Sequence, residues 1–182
     1  GSSDAHDWTT NSGRYYLREI SVPDGYLIEQ SVIPVEFTYE NQFIAWQVVD
    51  CLHSDKQTTV EIDKRAFTSD SDDTFALTGA TLTVTDWNGN VVDSWESSDT
   101  AHVICGLHLS HDFAGNRDTS KVYTLAETCP ADGYTTARSI QFRLEQATDD
   151  NAYLQETAVW VLHESEDTAY QSGSIISPTA FS

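Results

Sequence analysis

Two glutamates fall where a hydrophobic interior is expected. In Tyr123-Thr124-Leu125-Ala126-Glu127 the period of a half-buried strand places Tyr123, Leu125 and Glu127 on the apolar face. Tyr15-Tyr16-Leu17-Arg18-Glu19 has the same frame, and each segment runs on into an Asp-Gly-Tyr turn, at Asp24-Gly25-Tyr26 and at Asp132-Gly133-Tyr134. One such glutamate would ordinarily be a strand end that reaches solvent. Two copies in one frame point to function instead, because a glutamate is almost never buried unless it is paired or kept protonated. One lysine shares this unusual placement. In Val60-Glu61-Ile62-Asp63-Lys64 the residues Val60, Ile62 and Lys64 lie on one apolar face, in a chain with only 9 basic residues. Most lysines face solvent or snorkel towards it, but here both the face and the scarcity of bases argue for burial.

The elements that must position these groups are strands. Short alternating runs separated by turn residues recur along the chain, and no stretch keeps a helical period. Strands are predicted at 59–64, 81–85, 91–95, 101–104, 121–127, 139–144 and 158–162, with Asn88-Gly89 as a hairpin turn. Seven strands in this length make a two-sheet β-sandwich. The two matching segments are offset by a constant 108 residues, since 127 − 19 and 134 − 26 give the same value. A period of that size is one small module, so tandem copies are expected. Before Thr59 only the later part of a module is legible, with strands at 15–19, 32–38 and 45–50 and Phe37 in the role of Phe142. The expected organisation is a truncated leading module at 1–57, a complete sandwich at 58–165, and a linker or the start of a following module at 166–182.

Composition narrows the classes of function. The 182 residues carry 9 basic and 29 acidic side chains, a formal charge of −20, which argues against nucleic acid and anionic membranes as partners. No apolar run is long enough to span a bilayer, so no membrane insertion is expected of these residues. Cys51, Cys105 and Cys129 are an odd number without metal-ligand spacing, and are expected to be buried or idle thiols. Neither a cofactor nor a metal is expected. The acidic run around Asp70, Asp72 and Asp73 lacks the glycine and terminal glutamate of a calcium loop and reads as solvated.

In their order along the chain, several motifs resemble the Cna protein B-type, SpaA-like domains of Gram-positive pilins and adhesins. They are Val60-Glu61-Ile62-Asp63-Lys64, the run Leu77 to Asp86, Gly89-Asn90-Val91-Val92, Tyr123 to Glu127, and Asp132-Gly133-Tyr134. The match covers about residues 58 to 165, and residues 14 to 50 resemble that family's C-terminal half. The resemblance implies an all-β, prealbumin-like (inverse immunoglobulin) sandwich, with a truncated second copy at the N-terminus. It also implies an extracellular stalk at the cell surface or cell wall, often stiffened by a self-formed amide between Lys and Asn or Asp. The expected partners are neighbouring modules of the same polypeptide, with a host protein or glycan as the alternative.

The resemblance assigns roles to the two buried groups. Lys64 is the candidate nucleophile: desolvation strips the proton from a buried ammonium and leaves a neutral amine. Glu127 is the candidate proton shuttle, and a protonated carboxyl beside the amine can polarise the acceptor carbonyl. Glu19 and Asp50 are their counterparts in the leading copy, whose lysine would precede residue 1. The acceptor departs from the family pattern, because the run Val159-Trp160-Val161-Leu162 places His163 at the acceptor position and a histidine cannot be acylated to a stable amide. Two outcomes stay open: Glu164, Asp149, Asp150, Asn151 or Asp167 substitutes, or the triad is degenerate and Lys64 and Glu127 form a buried ion pair.

Other chemistry is less well supported. His163 and Gln171 have the spacing of stalk domains that form Thr–Gln ester bonds, without the rest of that pattern. His108-Leu109-Ser110-His111-Asp112 looks like a metal or catalytic cluster but lies in a Gly- and Asp-containing loop, where histidines are expected to be solvated. Turnover on an external substrate is not expected. Trp87, next to the Asn88-Gly89 turn, is the best candidate for an exposed ligand-stacking aromatic.

Overall fold

The computed structural model describes residues 13–37, 54–67, 73–150, 152–162, 169–172 and 174–179. Within these the chain is all-β. In order the strands are β1 Gly13–Leu17, β2 Tyr26–Leu27, β3 Ile33–Phe37, β4 Lys56–Gln57, β5 Thr59–Phe67, β6 Thr74–Ala76 and β7 Thr81–Thr85. They are followed by β8 Val91–Glu96, β9 His102–Cys105, β10 Tyr123–Cys129, β11 Ile140–Asp149, β12 Ala152–Leu162, β13 Ala169–Ser172 and β14 Ser174–Thr179.

Two sheets face each other. One has six strands in the order β13-β12-β11-β10-β7-β8, and the other has four, with β14 on one edge of β5 and both β6 and β9 paired to β5 as well. Alternation builds the interior between them: Val60, Ile62, Lys64 and Ala66 of β5 are buried, as are Tyr123, Leu125 and Glu127 of β10. The main apolar cluster joins Val60, Ile62 and Ile104 of the small sheet to Leu82, Val84, Tyr123, Leu125, Phe142, Leu144 and Val159 of the large one. A second, smaller cluster of Ala66, Leu77, Ala80 and Ala131 fills the far end.

The predicted strand at 81–85 coincides with β7, whereas β11 and β12 run longer than the sequence suggested and join as one hairpin. The segment expected as a linker or the start of a following module adds a strand to each sheet. β13 pairs antiparallel with β12, and β14 pairs in parallel with β5, with Ser177 opposite Lys64. Polar, serine-rich strands of this kind carry little of the alternation that marks a strand in sequence.

Part of the segment before Thr59 is described. β1 pairs with β3 so that Tyr15 faces Val35, while Tyr123 of β10 faces Phe142 of β11. Val35 stands across from Tyr15, and Phe37, expected in the role of Phe142, pairs with Gly13 instead. The strand predicted at 45–50, with Asp50, lies outside the described residues.

Candidate functional site

Lys64 and Glu127 approach each other across the sandwich. Lys64 Nζ lies 3.3 Å from Glu127 Oε1, and both side chains are almost completely removed from solvent. Each strand presents its group by the same alternation that buries its neighbours, so the pair sits between the main apolar cluster and the smaller one. The contact is ionic in distance without the alignment of a hydrogen bond, and among the described residues neither Nζ nor Oε1 has a hydrogen-bond partner.

The other carboxylate oxygen is held from the backbone. The β10 ladder shifts register between Glu127 and Cys129, a bulge that ends regular pairing beside the site. The chain then turns through Ala131 to Tyr134, closed by the Tyr134 N–H donating to the Ala131 carbonyl at 3.1 Å. It returns so that the Ala137 N–H donates to Glu127 Oε2. The Asp-Gly-Tyr motif thus folds the chain back over the carboxylate of its own strand.

Burial pushes the Lys64 amine below its ordinary value of 10.5, and the nearby Glu127 charge opposes that shift without cancelling it. A buried pair of this kind adds little net stability over an apolar replacement. Breaking it by removing one partner is a different matter, costing about 3–5 kcal/mol, because the other charge is left uncompensated.

An amide at Lys64 needs a carboxyl or carboxamide within reach of Nζ. His163 and Glu164 lie outside the described residues, as do Asn151 and Asp167. Asn151 precedes β12 and the other three follow it; β12 belongs to the large sheet and pairs with β11 and β13. Asp149 and Asp150 lie at the exposed β11–β12 hairpin of that sheet. The strands that flank β5 are Ser-Ile-Ile-Ser-Pro-Thr in β14, Thr-Phe-Ala in β6 and His-Val-Ile-Cys in β9. None of the three contains Asn, Asp, Gln or Glu. Gln171 is in β13, opposite Val159, so it too belongs to the large sheet.

The remaining candidates are placed as follows. Glu19 Oε2 accepts the Glu29 N–H at 2.8 Å, but in the two-stranded β1–β3 sheet Tyr15 and Leu17 are exposed and Glu19 is only half-buried, so the inward-facing place found at Glu127 is not repeated at Glu19. Trp87 is half-buried rather than exposed: its ring meets His108 and Tyr123 edge to face, with the Lys121 ammonium 5.8 Å from its centre. His111 is not simply solvated either, since its ring stacks on Tyr153 and burial lowers its pKa. Asp112 accepts the Ala114 and Asn116 N–H groups and the Asn116 side-chain amide within its own turn. Among the described residues no His, Cys, Asp and Glu cluster could hold a metal ion. Cys105 and Cys129 are free thiols, exposed rather than buried because both stand near strand ends on outward positions; Cys51 lies outside the described residues. Asp70 and Asp72 also lie outside them.

Sequence reasoning missed two features of this site: the flanking strand β14 and the Ala137 amide. The offset of 108 residues carried a signal for the second, since Glu29 and Ala137 are equivalent positions, but only the structure shows that both amides point back at a glutamate.

No family model matches the chain, and no curated protein does. Among solved structures, the Bacillus anthracis TIE protein aligns with a TM-score of 0.45 at 18% identity, covering 93% of this chain and 25% of that one. The pilus adhesin SpaC from Lactobacillus rhamnosus GG aligns in its open conformation with a TM-score of 0.42 at 16% identity, covering 93% and 25%. A second form of SpaC gives 0.43 at 16% identity, covering 94% and 25%. The chain spans about a quarter of the length of these solved structures.

Proposed function

We propose that this chain is a stalk segment of an extracellular, cell-wall-attached surface protein, built from tandem Cna B-type modules and devoted to bearing tension rather than to turnover. The observation that carries this reading is the parallel pairing of β5 with β14, from Glu61 opposite Ser174 to Ala66 opposite Thr179. Where the first and last long strands of a module run side by side and parallel, the chain enters at one end and leaves at the other. Tension applied there loads every hydrogen bond of the ladder together, in shear. An antiparallel pair at the same place would open one bond at a time.

Lys64 lies inside that ladder, opposite Ser177. In this reading Lys64 and Glu127 tie the two sheets together behind the sheared strands as an ion pair. Among the strands that flank Lys64, β6, β9 and β14 offer no carboxyl or carboxamide as acceptor, and the pair is taken as uncrosslinked. The intact mass of the purified chain should equal that of the sequence. A deficit of about 18 Da, water lost from a carboxyl acceptor, or about 17 Da, ammonia lost from a carboxamide, would overturn the uncrosslinked assignment.

The stalk reading has its own test, in single-molecule pulling with the native cysteines replaced by serine. Anchors at Thr59→Cys and Thr179→Cys load the β5–β14 ladder in shear. Anchors at Phe67→Cys and Thr179→Cys, at adjacent strand ends, unzip it. The shear geometry should withstand a several-fold higher force. Equal forces in the two geometries would remove the basis for a tension-bearing role.

A further inference from the structure

We infer that residues 24–30 of the leading repeat are a docking clasp for the following sandwich, so that the two repeats form one cooperative unit; this deepens the stalk reading but stands on separate contacts. Leu27 and Ile28 are fully buried, and Leu27 belongs to the main apolar cluster of the sandwich. The backbone of Ile28 is bound on both sides by one side chain: its N–H donates to Gln146 Oε1 and its carbonyl accepts from Gln146 Nε2, each at 2.9 Å. The same Gln146 Nε2 also donates to the Leu154 carbonyl at 2.8 Å, which fixes the amide in the β11–β12 hairpin. Gln30 Oε1 accepts the Tyr153 N–H at 2.9 Å.

The turn itself is fitted just as closely. The Gly25 carbonyl accepts the Thr58 N–H at 2.9 Å, and the buried Thr58 hydroxyl donates to the Leu107 carbonyl at 2.6 Å. Gly25 has φ +84, and a Cβ there would lie 2.4 Å from the Gly106 carbonyl oxygen. Only glycine allows that approach. A buried glutamine that satisfies both backbone groups of a residue 118 positions away is a built site, since leaving those groups unpaired in an apolar setting is costly.

The second copy of the turn shows what specifies docking. Gly133 has φ +83, and the Tyr134 N–H closes the same turn that the Tyr26 N–H closes on Pro23. The two residues that follow are Thr135 and Thr136, both exposed, where the first copy has Leu27 and Ile28. The backbone device is therefore common to both repeats, and the apolar pair that seats it belongs to the first alone.

The test exchanges one copy for the other in the full chain, with Leu27→Thr combined with Ile28→Thr, read by hydrogen exchange at Tyr153, at Ile28 or its replacement, and in β1 and β3. In the unaltered chain β1 and β3 should exchange together with the sandwich, in a single cooperative opening. In the double variant the leading strands should open separately, with protection at Tyr153 falling at least tenfold. Should that variant fail to fold, Gln30→Ala, which removes only the acceptor of the Tyr153 N–H, should lower protection at Tyr153 and in β3 while β7 and β10 keep theirs. Independent exchange of β1 and β3 in the unaltered chain, or unchanged protection in both variants, would overturn the clasp. Neither result bears on the pulling comparison that tests the stalk reading.

Discussion

Glu19 and Glu127, 108 residues apart, make the same hydrogen bond: each accepts the backbone N–H of the residue ten positions ahead, Glu29 for one and Ala137 for the other. Glu19 lies two residues beyond β1 and Glu127 two residues before the end of β10, and in each segment the chain then turns through Asp-Gly-Tyr and its returning backbone donates to the carboxylate. A side chain held in this way has one oxygen fixed and the other left to face its partner. For Glu127 that partner is Lys64.

Separating the two duties of Glu127 gives the first prediction. Glu127→Ala removes both the charge beside Lys64 and the acceptor for Ala137, and should cost about 3–5 kcal/mol in urea unfolding. Glu127→Gln keeps an oxygen for Ala137 and should lose clearly less. Equal losses would mean that the amide contact contributes nothing measurable and that charge alone matters.

The pH dependence of stability follows from two buried groups that act in opposite directions. The folded Lys64 amine is held below 10.5, so between that lowered value and 10.5 the unfolded chain binds more protons. Stability therefore rises with pH across this window, and the contribution is lost as pH falls through the folded value. Burial pushes the Tyr123 phenol the other way, from 10.0 to about 12. Its contribution is complete below pH 10 and is lost as the pH climbs to about 12. Urea midpoints measured in pH steps should show the first rise vanish when Lys64→Met is combined with Glu127→Gln. Tyr123→Phe should remove the decline above pH 10.

That same phenol oxygen accepts the His108 N–H at 2.9 Å. Tyr123→Phe should therefore also lower stability at neutral pH, by about 1–3 kcal/mol, the cost of an orphaned and partly buried donor. A ring that packs as well as the tyrosine did and shows no loss would mean that water takes over the acceptor role.

The sequence carried the strand alternation and the unusual polarity of two interior positions, because period 2 survives wherever one face is buried. Lys64 and Glu127 are conspicuous on those grounds, and so is the repeat that links Glu19 to Glu127. What lay beyond reach depended on partners far along the chain. Thr74 to Ala76 is too short to show a period, and Ser174 to Thr179 has no polar and apolar alternation, so of the three strands paired to β5 only β9 was legible, as the run predicted at 101–104. The clasp was hidden for a similar reason. Leu27 and Ile28 look like a fragment of the leading copy until Gln146 is seen to bind them. Trp87 misled because a residue beside a turn need not be exposed when the turn folds back on the core.

The exposed thiols offer a direct check on the strand ends. Cys105 and Cys129 face solvent, with Cys105 Sγ 3.9 Å from the Thr59 hydroxyl. Peptide mapping after iodoacetamide treatment without denaturant should find both alkylated, with the unfolding midpoint little changed. Protection of either thiol until the chain unfolds would place its strand end inside the sandwich.

The two turn glycines make the most discriminating pair of substitutions. Gly25 and Gly133 share a left-handed backbone, at φ +84 and +83, so asparagine at either position should bring a similar local strain of about 1–2 kcal/mol at most. Their surroundings differ, because a Cβ at Gly133 meets nothing within 4 Å while one at Gly25 strikes the Gly106 backbone. Gly133→Asn should therefore cost little. Gly25→Asn should push the turn off the sandwich, drawing Leu27 out of the core and breaking the pair of bonds to Gln146. Differential scanning calorimetry should record a small shift of one transition for the first variant and a larger loss for the second. Matching behaviour in the two would mean that backbone strain alone, and not the fit of one repeat against the next, governs both positions.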